Sequence, residues 1–162
     1  MSHRGGKKPG RREEPSTSKR PSAVEDADAW KKAKPVWSFL HVDNRDPSCK
    51  WSWAHCTTPD LCRLLDVLRE CERKTWFEIF NEQVHKKNRT LRRNGAVAVG
   101  DVCVDAQKRF AELPGLDEYE EIVKVRITSA GRVWGVRNEN VLHIIWWDPD
   151  HTVLPSRDPA DN

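Results

Sequence analysis

The 162 residues carry 28 Lys or Arg against 25 Asp or Glu, a net charge of +3, and no run among them approaches the roughly 20 apolar residues of a bilayer span. A helical membrane protein is therefore excluded, and with no apolar secretory segment at the amino terminus the expected location is the cytoplasm. The charge is unevenly placed: residues 1–34 hold ten basic against five acidic residues and the remainder 18 against 20, so long-range attraction to nucleic acid belongs to the arm rather than to the body.

Residues 1–34 are rich in Lys, Arg, Gly, Pro and Ser with few apolar positions, the composition of a disordered basic tail. It reads either as a nonspecific nucleic-acid arm or as a solubilising extension. One domain is expected over 35–155, and 156–162 reads as a disordered C-terminal tail. Pro35 to Val42 is aromatic, β-branched and short, which predicts a strand that joins the main sheet. After a turn cluster at Asn44–Ser48 come Trp51 and Trp53, which project to one side if the chain is extended; they either stack bases or cap the core. Thr58-Pro59 predicts a helix start with Thr58 as N-cap, and Leu61, Leu64, Leu65 and Leu68 fall on one helical face, expected to be core. Thr75 and Glu78 form a capping box for a short helix with Trp76, Ile79 and Phe80 inward.

His85 to Arg93 holds five Lys or Arg in nine residues and no acid: Lys86, Lys87, Arg89, Arg92 and Arg93. Such a loop binds phosphate by releasing condensed counterions, or is an ordinary solvated loop. A small apolar segment at Ala96–Val99 precedes a helix that begins at Asp101 or Asp105, runs to about Leu113 and ends at Pro114-Gly115, with Val102, Ala106, Phe110 and Leu113 inward.

Ile122 to His151 then reads as three strands in a meander, IVKVRI, RVWGVR and VLHIIWWDPDH, separated by SAG and NEN. Pairing across Ser129–Gly131 with Thr128 opposite Arg132 puts Val123, Val125, Ile127 and Val133 on one face and Lys124, Arg126, Arg132 and Trp134 on the other. His143 goes to the apolar face after a three-residue turn at Asn138–Asn140 and to the arginine face after a two-residue turn. The expected class is α+β, an antiparallel meander covered on one face by two or three helices.

Five cysteines at positions 49, 56, 62, 71 and 103 lack framework spacing, so reduced thiols, mostly buried as small hydrophobes, are expected. No CxxC pair, GxGxxG, P-loop, HExxH or GxSxG is present, so neither a metal nor a cofactor is expected. What remains is a basic sheet face: Lys124, Arg126 and Arg132, with the 85–93 loop and His151, form a concave site for an anionic ligand, or else are solvated or paired with Asp148, Asp150 or Glu118.

The layout over about residues 36–151, carried by EEIVKVRITSAGRVWGVRNENVLHIIWWDP, resembles RelE/HigB-type bacterial toxins, and it is also similar to small uncharacterised bacterial proteins ending in a WWDP-x-H element. The toxin resemblance implies an endoribonuclease that cuts messenger RNA, often on the ribosome, and an antitoxin protein as partner. It implies Arg126 and Arg132 as the phosphate-holding residues of the catalytic site and His151 as the group near the reacting 2′-hydroxyl. Lys86, Lys87, Arg89, Arg92, Arg93 and Lys124 are then the RNA contacts. The alternative is a noncatalytic module that binds protein or nucleic acid.

Overall fold

Two capping boxes set the first helical layer. In the computed structural model, which describes residues 27–86 and 89–155, helix α2 (Thr58–Cys71) begins with Thr57 as N-cap: its hydroxyl accepts from the Asp60 amide, and Asp60 accepts from the Thr57 amide. The cap is thus one residue earlier than Thr58, because Asp60 reaches Thr57 at the three-residue spacing a capping box requires. Helix α3 (Trp76–Asn81) starts from Thr75 and Glu78 as expected. Before them lie a short helix α1 (Ala29–Lys32) and strand β1 (Val36–Ser38). The described part of the expected 1–34 tail therefore begins the ordered body, since Trp30 packs edge-to-face on Phe80. Residues 1–26 and 156–162 lie outside the described residues.

The inward face of α2 is Leu64, Val67, Leu68 and Cys71, while Leu61 is 45% and Leu65 56% exposed. The stripe is rotated relative to the leucines because 64, 67, 68 and 71 keep the same helical spacing and also face the sheet. The basic 85–93 segment is a hairpin rather than a loop: β2 (Gln83–Lys86) pairs with β3 (Arg89–Arg92) and leads into β4 (Gly95–Ala98). Helix α4 (Val104–Glu112) follows a 3-10 turn that takes up Asp101, so the helix starts at the later of the two expected positions; Ala106 and Phe110 are buried. Strands β5 (Glu121–Arg126), β6 (Arg132–Asn138) and β7 (Val141–Asp148) form the meander.

The main sheet has five strands in the order β1-β7-β6-β5-β4, antiparallel except for β1, which runs parallel to β7. The β5–β6 register places Arg126 opposite Arg132 and Val125 opposite Val133, two residues from the expected pairing. An even slip leaves every side chain on its own face, so the division of valines from arginines stands although the pairing does not. Across β6–β7, Asn138 faces Val141 and Val136 faces His143, so the turn is Glu139-Asn140 and His143 lies with the arginines. A bulge opposite Trp134 and Gly135 then brings Ile145 and Trp146 onto that same face. A side chain at Gly135 would meet the His143 carbonyl oxygen at 2.4 Å, so the strands close up here only because the residue has none.

The α+β class holds, but the cover is on both faces. One face packs Val123, Val125, Ile127, Val133, Leu142, Ile144 and Trp147 beneath α2 and α3. The other packs Ile122, Trp134, Val136, Ile145 and Trp146 beneath α4, Leu116 and Val153. The arginine face is therefore not open along its length; β6 and β7 read as nearly continuous apolar strands because helices lie on both sides of them. A 3-10 turn (Trp53–His55) also divides the two tryptophans of WSW, Trp51 against Trp146 on one face and Trp53 against Trp147 on the other, and both serve the core. Among the described residues no helix is long and apolar enough to cross a membrane.

Candidate anion-binding site

The turn between β5 and β6 builds the site from backbone. Thr128 Oγ1 accepts from the Gly131 amide at 2.6 Å, and the amides of Ile127 and Thr128 both donate to the Gly131 carbonyl, which tightens the reversal and turns carbonyl oxygens toward the strand ends. Those carbonyls hold two guanidinium groups. Arg126 Nε donates to Thr128 O at 3.1 Å, and Arg132 Nη1 donates to Thr128 O, Ser129 O and Gly131 O at 3.0–3.3 Å. Opposite each other in register, two like charges thus share one acceptor. Arg132 is buried, and burial, followed by the Arg126 charge and against the pull of Asp148, lowers its pKa to about 10. Its Nε and Nη2 and both terminal nitrogens of Arg126 have no protein partner among the described residues.

The end of β7 completes the arrangement. Asp148, wholly buried, accepts from Trp134 Nε1, from the Thr152 amide and hydroxyl, and from the Val153 amide at 2.9–3.2 Å. The turn so fixed sets His151 in the left-handed region with φ 58. Its ring is half-buried and its Nε2 is shut from solvent without a partner. Burial first, then Arg132, Lys124 and Arg126, with Asp148 opposing, push the His151 pKa down to about 4, so the imidazole is neutral at neutral pH. Asp148 contributes a structural anchor and some charge; its oxygens are already occupied by four hydrogen bonds.

Asn94 joins the basic hairpin to this site. Nearly buried, its Oδ1 accepts from the Arg126 amide at 2.9 Å, while its Nδ2 donates to Ile79 O and Glu82 Oε2. Arg93 lies 3.9 Å from Glu82, its amide bonded to the Glu82 carbonyl. Arg92 lines one cleft together with Lys124. The half-buried Lys124 has its pKa lowered by burial and by Arg132. Among the described residues Lys124, Arg126 and Arg132 form no ion pair.

Arg92, Arg93, Lys124, Arg126, Arg132 and His151 are thus neighbours. Arg89 sits out on the exposed hairpin opposite the Lys86 backbone, and Lys87 lies outside the described residues. Asn94 and the turn carbonyls were not expected; the Asn94-Gly95 pair signals a turn, but backbone oxygens leave no mark in a residue pattern. A second cationic centre was also missed. Arg109 forms a two-pronged pair with Asp43 at 2.7 and 2.8 Å, and Trp146 Nε1 donates to Asp43 at 3.0 Å. Burial pushes the Asp43 carboxyl up, but the hydrogen bonds from Arg109 and Trp146 outweigh it and hold the group below its ordinary value. Of the free cysteines, Cys71 is buried, Cys62 is exposed and the other three are half-buried; burial raises the Cys71 thiol to about 11. Comparisons of the chain with protein-family models, with curated proteins and with solved structures gave no match.

Proposed function

We propose that this protein binds RNA, gripping phosphate with Arg126, Arg132 and Lys124 and extending the contact along Arg92, Arg93 and the basic hairpin. The observation that carries this reading is the anchored pair of guanidinium groups. Arg126 and Arg132 are held side by side by one carbonyl, with donors left over and, among the described residues, no carboxylate paired to them. Like charges held together at a partly buried site raise the free energy of the empty protein, and an anion bound between them relieves that repulsion. Planar guanidinium edges also match phosphate oxygens.

The test is the salt dependence of binding to a labelled RNA, followed by fluorescence anisotropy. Affinity should fall steeply as salt rises, and Arg126→Ala should weaken binding about tenfold and reduce the salt slope by about one counterion. No binding even at low salt would reject the reading.

A second reading, RNA cleavage of the kind the RelE/HigB resemblance implies, is favoured by His151. His151 lies beside the three cations that would hold the phosphate, and although those charges and burial lower its pKa to about 4 in the empty protein, a bound phosphate offsets them and raises the imidazole toward the range in which it takes a proton from a 2′-hydroxyl. On this reading the substrate is messenger RNA in the cytoplasm, with the ribosome as its setting and an antitoxin chain covering the cation cluster. His151→Asn, which tolerates a positive φ, should lower cutting roughly 100-fold while RNA affinity stays within about twofold. Wild-type protein that leaves RNA intact with and without ribosomes would leave binding alone.

A further inference from the structure

Between α1 and α3 lies a cleft of about 340 Å³ over β4, β5 and β6, lined by Trp30, Phe80, Arg92, Asn94, Lys124 and Arg137, among others. Its walls combine aromatic and cationic surfaces. Trp30 and Phe80 meet edge-to-face with centroids 5.9 Å apart, and the Arg137 guanidinium lies 3.5 Å from the Trp30 ring centroid. Arg137 Nη1 donates to Glu139 O at 2.7 Å, which fixes the planar group where it stacks. Arg92 and Lys124 supply the cationic side of the cleft, and Lys124, which also feels the charge of Arg132, is the residue the cleft shares with the phosphate site. Adjoining it, a second hollow of about 310 Å³, sharing Ala96, Glu121 and Arg137, carries Glu118 and Glu120. Those carboxylates repel a phosphate backbone, so a strand entering the cleft is directed toward the cationic side.

We propose that this cleft takes an unpaired base of an RNA strand whose adjoining phosphate lies on Lys124 and Arg92, so that the protein distinguishes single strands from duplexes. The proposal rests on the RNA-binding reading above. Every nucleobase has a face that stacks on aromatic rings and guanidinium planes, and only an unpaired base is free to turn into such a cleft. The volume lies in the range of small-ligand sites. In a duplex the bases are stacked on one another, and only backbone is left to meet the cations.

The experiment compares three labelled ligands of equal length on the wild-type full chain by fluorescence anisotropy: single-stranded RNA, a strand with the bases removed, and duplex RNA. Single-stranded RNA should bind at least about tenfold more tightly than the abasic strand, the scale of one stacked base. Trp30→Leu and Arg137→Gln should each remove most of that difference and leave abasic binding unchanged, whereas Lys124→Ala should weaken all three ligands. Because Trp30 packs on Phe80, its variant is checked by melting temperature, and Arg137→Gln serves if that variant is unstable. Equal affinity for the base-bearing and abasic strands, or a preference for duplex, would overturn the cleft proposal while leaving phosphate binding intact. Failure to bind any of the three would remove the RNA-binding reading and the cleft with it.

Discussion

Arg109 and Arg132 lie on the same side of the sheet, and their surroundings differ in kind. Arg109 meets a buried carboxylate in a two-pronged pair, with Glu112 as a further partner, and its pKa is raised, chiefly by the Asp43 hydrogen bonds. Among the described residues Arg132 hydrogen-bonds carbonyl oxygens and no carboxylate, and burial and the Arg126 charge lower its pKa against the pull of Asp148. The first is closed: it ties the loop after β1 to α4 and offers nothing outward. The second is open, held in shape by neutral dipoles that do not cancel its charge. An arginine with a carboxylate partner is part of the fold's own accounts, whereas one anchored by carbonyls keeps charge and donors for something outside the chain.

Four substitutions sharpen or break this comparison, in order of expected size. Arg109→Ala leaves Asp43 buried without its counter-ion and should cost about 3–5 kcal/mol in a urea titration. A loss under about 1 kcal/mol would mean that the pair is not structural. Asp148→Asn puts an amide where four donors converge and should cost about 1–3 kcal/mol by the same measurement. If stability is unchanged, the turn carrying His151 is held by something else.

The third is a pH effect. The His151 pKa is about 4 in the folded chain against 6.5 ordinarily, so the unfolded chain takes up more protons between those values, and stability falls as pH drops from about 6.5 toward 4. For a half-exposed ring, solvent screening reduces the effect to on the order of 1–2 kcal/mol. His151→Asn should flatten that part of the stability curve; an unchanged slope would place the ring in water, away from the cations. Fourth and smallest, Arg126→Ala should alter stability by less than about 0.5 kcal/mol, because the hydrogen bond it loses is offset by relief of repulsion on Arg132. A loss comparable to that of Arg109→Ala would erase the contrast between the two arginines.

What was legible in the sequence follows the physics of each signal. The faces of β5 and β6 were readable because alternation has a period of two, but the register was not, since a slip of two residues preserves that alternation. The α2 helix was readable from its spacing, yet Leu61 and Leu65 are as apolar as Leu64 and Leu68, and only the position of the sheet decides which pair is buried. The companionship of Arg126, Arg132, Lys124 and His151 was legible because three of them share one hairpin face and the fourth follows the adjoining strand. Their anchoring was not, because it depends on backbone oxygens of a turn whose length the residues do not specify. The Asp43–Arg109 pair joins positions 66 apart, and no local pattern marks it.

The parallel pairing of β1 with β7 has a consequence for how the chain acquires its shape. Val36 lies opposite Val141 and Ser38 opposite His143, so the first strand to leave the ribosome must wait for the last before either side of that ladder exists. Pairing at such sequence separation closes a large loop before any contact rewards it, which slows folding relative to the hairpins, whose partners are adjacent in the chain. Until β7 emerges, the buried side of α2 has only the β5–β6 part of its sheet to cover it, and Leu64, Val67 and Leu68 stay partly open to association with other nascent chains. Synthesis is therefore most exposed to aggregation until β7 arrives, the strand that carries two of the core tryptophans, Trp146 and Trp147.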